Sequence, residues 1–172
     1  MSEKSIWVLF PILFTLLSCR KEEQILFEIP LRLNFEIATK LNPFNRHFYK
    51  ITNVGTNIQT LRNQFNVPED RVLIIRPASA IFSSLHRDID FDFIEEIGIS
   101  VYQGINQEDD TDVFLTDFVP VNAGRNINIL PFDADFADAI DHPSINFIVS
   151  LRVRAPTPVF FECNIDIRFT VE

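Results

Sequence analysis

Apolar and polar residues along this chain fall into two regimes. The first is a single apolar run, Ile6 to Leu17, preceded by Lys4 and interrupted by Pro11. It is shorter than the ~20 residues a membrane-spanning helix needs and falls within the ~7–15 of a signal-peptide core. The second regime starts at Phe27 and is dominated by period-two alternation, the mark of half-buried strands.

The alternation is longest at the two ends of the domain. Phe27, Ile29, Leu31, Leu33, Phe35 and Ile37 oppose Glu28, Arg32, Asn34 and Glu36, which predicts a long strand. Pro30, without an N–H, favours an edge position or a bulge. Near the C-terminus, Ile145, Phe147, Val149, Leu151 and Val153 alternate with polar residues. The odd positions from Val159 to Val171 do the same. Joined by Ala155-Pro156-Thr157-Pro158, these two runs predict an antiparallel hairpin.

Between them, shorter strands are expected over His47–Val54, Ile97–Val101, Val113–Val119 and Asn126–Phe132. Val72–Ile75 reads as a strand buried on both faces, broken by Pro77 and resumed at Ile81-Phe82. Thr56–Phe65 has helical spacing (Ile58, Leu61, Phe65) with Thr56 as a cap and Pro68 beyond its end. A single helical turn is expected over Phe91–Ile94, and weaker helical character over Asp133–Ile140. About seven strands with short turns and one or two short helices imply an all-β, immunoglobulin-like antiparallel sandwich. Spacing does not define the strand order. The absence of repeats or linkers makes residues 26–172 one domain, preceded by a signal segment (1–18) and a tether (19–25).

The junction between the two regimes carries the most specific motif. Leu16-Leu17-Ser18-Cys19 resembles the bacterial lipobox. That resemblance implies cleavage before Cys19, a diacylglycerol on its thiol, and a further acyl group such as palmitate on the freed amine. Two or more chains make a stable anchor where one does not. Arg20-Lys21-Glu22-Glu23 then resembles the surface-export signal of Bacteroidota lipoproteins, which implies an outer-membrane, lipid-anchored protein exposed at the cell surface. The later layout is also similar to uncharacterised β-sandwich lipoproteins of that group, a resemblance that transfers no functional residues.

Composition narrows the rest. Of 172 residues, removal of 18 leaves 154, enough for one self-sufficient core. A net charge of −9 disfavours nucleic acid, whose phosphates call for Lys and Arg. It also leaves membrane attachment to the lipid. With Cys19 acylated, Cys163 has no disulfide partner and is expected as a buried thiol. The single tryptophan, Trp7, leaves with the signal, and the 18 phenylalanines are expected to fill the core rather than form a sugar-binding platform.

Candidate chemistry is sparse. Glu108-Asp109-Asp110-Thr111-Asp112 and the set Asp133, Asp135, Asp138 and Asp141 beside His142 are acidic loops. Either could supply oxygen ligands to Ca²⁺, the only cofactor considered besides the lipid on Cys19. Neither has EF-hand spacing. Asp88, Asp90 and Asp92 read as one side of an extended segment. His47, His86 and His142 form no close ligand pair, and Ser83-Ser84 near His86 lacks a nucleophile elbow. Three functions remain in view. The leading one is a non-enzymatic lipoprotein that binds an outer-membrane or surface protein, or serves as accessory subunit of a membrane complex. The second is a loop-based binder of Ca²⁺ or a surface polymer. The third is a hydrolase using His142 with Asp138 or Asp141.

Overall fold

A computed structural model describes residues 24–85, 89–102 and 110–172. The proposed signal segment and Cys19 to Glu23 lie outside the described residues. The described chain is all-β, with eight strands and two short helices. They are β1 (Phe27–Ile37), β2 (Arg46–Gly55), α1 (Ile58–Gln64), β3 (Ile75–Ser84), β4 (Ile94–Tyr102), β5 (Thr111–Thr116), β6 (Asn126–Pro131), α2 (Ala137–Ile140), β7 (Ser144–Val153) and β8 (Phe161–Val171).

All pairings are antiparallel, in the order β1-β8-β3-β6-β5-β4-β7-β2. The order folds into two facing layers, β1-β8-β3-β6 and β5-β4-β7-β2. A short ladder, Phe114 opposite Pro131 and Leu115 opposite Leu130, joins them on one side. On the other side β1 and β2 close the seam through side chains, with the Phe35 and Tyr49 rings 4.9 Å apart. The expected antiparallel sandwich is therefore present, with eight strands instead of about seven. Its order is that of a jelly roll rather than an immunoglobulin-like sandwich.

The expected C-terminal hairpin does not form. β7 pairs with β4 and β2, whereas β8 pairs with β1 and β3, so residues 154–160 cross from one layer to the other. Two prolines in that link exclude the two-residue turn a tight hairpin favours. Each strand, moreover, is flanked on both edges by other strands. The stretch Val72–Ile75 also differs from expectation. Leu73 and Ile75 are buried but Val72 and Ile74 face outward, and β3 begins at Ile75. It runs through Pro77, which a register shift between Pro77 and Ser79 accommodates. The helical stretch after Asp133 shrinks to the four residues of α2.

Pro30 marks an edge as predicted: β1 is one end of the strand order, and β2 the other. β2 carries Lys50 and a register shift between Ile51 and Val54, around Asn53 in the left-handed region (φ 58°). A proline, a lysine and a bulge are common means of keeping edges from pairing with other chains.

The interior is aromatic and aliphatic. Phe82, Phe91, Phe114, Phe147, Phe161 and Phe169 are fully buried. Phe82 and Phe91 are 4.5 Å apart, and Phe161 lies 6.1 Å from Phe91, extending the cluster between the layers. Burial of each such ring stabilises the fold by about 2–3 kcal/mol. Cys163 is a buried free thiol on this inward register, 3.2 Å from the Phe35 carbonyl to which it donates. Burial pushes its pKa well above the ordinary thiol range. Tyr49 is pushed up to about 12, first by burial and second by the proximity of Cys163.

Candidate functional site

Strand direction gives the sandwich two unlike ends. β1, β3, β5 and β7 begin at one end, and β2, β4, β6 and β8 finish there. The chain enters β1 here, so this end is labelled the tether end after the tether expected over residues 19–25. Both helices, Asp133 to His142 and Asp110 to Asp112 lie at it. Residues 38–45, 85, 89–93, 117–125 and 154–160, in the links at the other strand ends, form the opposite, distal end.

At the tether end, Arg62 of α1 turns inward and is 3% exposed. Its Nη2 lies 2.8 Å from Asp141 Oδ2, and its Nη1 donates to the Pro68 carbonyl at 3.0 Å. The guanidinium thus binds the segment after α1 to the link before β7. Thr56 reinforces the joint, with its hydroxyl donating to the His142 carbonyl and its amide to the Pro143 carbonyl. The helix begins from Asn57, whose backbone is left-handed, and Thr56 Oγ1 accepts only a long bond from the Ile58 amide.

A cleft of about 410 Å³ lies over this joint, lined by Arg62, Glu69, Arg71, Asp138, Asp141 and His142 among others. A neighbouring cleft of about 300 Å³ shares His142 and includes Tyr102 and Asn146. His142, Asp138 and Asp141 line this cleft together. The imidazole Nε2 lies 3.1 Å from the Asp138 backbone carbonyl, and the Asp141 carboxylate is engaged by Arg62. Ser83 and Ser84 stand near the distal end of β3, away from His142. His47 bonds the Asn42 carbonyl at 2.9 Å, and His86 lies outside the described residues.

The acidic candidates have local partners. Asp135 accepts from the amides of Ile75 and Ala137, both at 2.9 Å, so it fixes α2 onto the start of β3. Asp133 accepts from Arg76 at 3.2 Å and Asp112 from Ser100 at 2.7 Å. Asp138 lines the larger cleft, and Asp110 is exposed. Asp109, with Glu108 and Asp88, lies outside the described residues. Among the described residues no three His, Cys, Asp or Glu side chains gather as a metal site.

The distal end is built differently. Arg154, just after β7, donates through Nη2 to the Ile94 carbonyl at 2.6 Å and to the Val119 carbonyl, and its amide donates to the Phe93 carbonyl at 2.8 Å. Its guanidinium also lies over the Phe118 ring, 5.9 Å from the centroid. Phe91 N–H donates to the Gly124 carbonyl at 2.7 Å, where Gly124 takes the positive φ (70°) that the turn requires. Buried Thr157 donates to the Ala38 carbonyl at 2.6 Å and accepts from the Leu41 amide at 3.1 Å. The described parts of the four links are therefore fastened to one another, not splayed.

They expose several large apolar side chains beside the charged Lys40, Asp90, Asp92, Asp117 and Arg125. Phe44 is 95% exposed, Phe118 69% and Phe160 52%, and Leu85, Val121 and Val159 are exposed beside them. Residues 118–124 and 155–160 contain no charged side chain, although the chain carries −9 overall. Sequence reading placed phenylalanine in the core and overlooked this rim. The signal was there in the setting: Asn42-Pro43-Phe44 and Pro158-Val159-Phe160 set aromatics next to turn residues, outside any alternating run. Neither a known family model nor a curated protein matches the chain.

Proposed function

We propose that this protein is a non-enzymatic, lipid-anchored outer-membrane lipoprotein that holds a protein partner on its distal rim. The observation that carries the reading is the polarity of the sandwich. The chain leaves toward Cys19 at one end, and a fastened rim with exposed aromatics, two of whose stretches (118–124 and 155–160) carry no charge, crowns the other. Scattered apolar residues are ordinary on a surface, but several exposed aromatics on the ordered links of one end favour an interaction face. Aromatic anchors on ordered loops also lose little freedom on binding. The lipobox and the Arg20-Lys21-Glu22-Glu23 motif support anchoring and export in the manner of Bacteroidota lipoproteins.

The test has two arms. Mass analysis and lipid labelling should find acyl chains on Cys19 and none in Cys19→Ala. Lys21→Ala with Glu22→Ala should retain the lipid but lose protease accessibility on whole cells. In vivo photo-crosslinking from position 44 or 118 should trap a protein neighbour that a probe on Glu28, at the opposite end, does not. Lipidated protein that crosslinks nothing from the rim would overturn the partner-binding reading.

A further inference from the structure

The tether end carries a second apolar group, separate from the distal rim. Ile25, Phe65, Val72 and Ile74 are all exposed there, Val72 at 89%. They surround the paired chain ends. Leu26 N–H donates to the Val171 carbonyl at 2.7 Å, and Ile74 and Glu172 exchange amide bonds at 3.2 and 3.0 Å. Phe65 stacks on Phe27 at 5.7 Å. The group thus rims the point at which β1 leads back toward Cys19.

Residues 19–23, between the acylation site and the first described residue, span at most roughly 18 Å when fully extended. The end of the sandwich that carries this group is therefore the end a lipid on Cys19 would hold against the bilayer. We propose that the domain seats its tether end on the lipid surface through Ile25, Phe65, Val72 and Ile74. This inference rests on the anchored reading above and adds an orientation to it: the distal rim faces away from the membrane.

The seat is weak by itself. Glu69, Asp70 and Glu172 lie among the apolar residues and oppose approach to an anionic surface, with Arg71 and Arg76 offsetting them in part. A short tether changes the balance, because it raises the local concentration of one surface at the other to the order of millimolar or above. The anchor supplies attachment, and the apolar group supplies direction.

The experiment uses the full lipidated protein in phosphatidylcholine vesicles, with a fluorophore attached through Val72→Cys or, separately, through Phe44→Cys. Cys163 is fully buried and does not compete for the label. Nitroxide-headgroup lipid should quench the probe at position 72 by roughly twofold while leaving that at position 44 nearly unchanged, as for side chains in and out of the interface. Val72→Glu should abolish the difference, read from a probe placed through Ile74→Cys. Equal quenching at positions 72 and 44, quenching at 44 alone, or a crosslinked dimer through position 72 without quenching would overturn the seat. Loss of the acyl mass on Cys19 would overturn anchoring and the seat together. A lipidated protein with an unquenched probe at 72 would overturn the seat alone.

Discussion

Arg62 and Asp141, 79 residues apart in the chain, meet at 2.8 Å and lock α1 to the link between α2 and β7. The arginine is almost wholly buried while the aspartate is about one-third exposed. Removal of the acid strands a charge that water reaches poorly. Asp141→Ala should therefore cost about 2 kcal/mol, below the 3–5 of a fully buried pair because Asp141 is partly solvated. Urea denaturation measures it. A double-mutant cycle with Arg62→Met should show coupling between the two positions, and additive losses would contradict the pairing.

Thr157 supports the distal rim from beneath. Its hydroxyl serves one carbonyl and one amide of the β1–β2 link, so Thr157→Val keeps the shape and strands both. A loss of about 1–3 kcal/mol is expected. The amides of Lys40 and Leu41 should exchange with solvent faster in the variant, as hydrogen-exchange mass spectrometry would read.

The rim aromatics should behave in the opposite manner. Phe44→Ala and Phe160→Ala remove exposed rings, so stability should change by no more than about 0.5 kcal/mol. Partner crosslinking should nevertheless fall. A variant that keeps its partner while losing melting temperature would assign these rings to folding instead.

Alkaline pH should weaken the fold. Tyr49 is raised from 10.0 to about 12 and Cys163 is raised above its ordinary value. Above the unfolded-state pKa the unfolded chain loses these protons first, so stability declines from about pH 9 upward and continues to decline through pH 12. Tyr49→Phe should flatten the upper part of the decline. An unchanged pH profile in that variant would show that Tyr49 ionises as freely in the fold as in the unfolded chain.

Much of the fold was legible because alternation is a local signal. β1, β7 and β8 appear in the sequence nearly residue for residue, and Pro30 identified an edge. Pairing was not legible, because period two says which face is buried and nothing about the neighbour. The same alternation serves a hairpin or two strands in opposing layers. The buried Arg62 and half-buried Arg154 escaped for a related reason: they look like surface charges until Asp141 is brought to the one and the Ile94 and Val119 carbonyls to the other. Among the acids, Asp135 resembled a loop ligand yet ties α2 to β3: its bond from the Ala137 amide is local, but that from the Ile75 amide depends on tertiary placement.

The pairing of β1 with β8 has a consequence for the order of events in the life of the chain. The partner of the first strand is the last of the eight described strands in chain order, and β3 also waits for it. Nascent chain emerging early can build neither layer around that central strand, and contacts between sequence-distant strands form slowly. Synthesis of β8 is therefore the commitment step. Until then the polypeptide remains without a closed core, the extended condition that the export proposed above would demand.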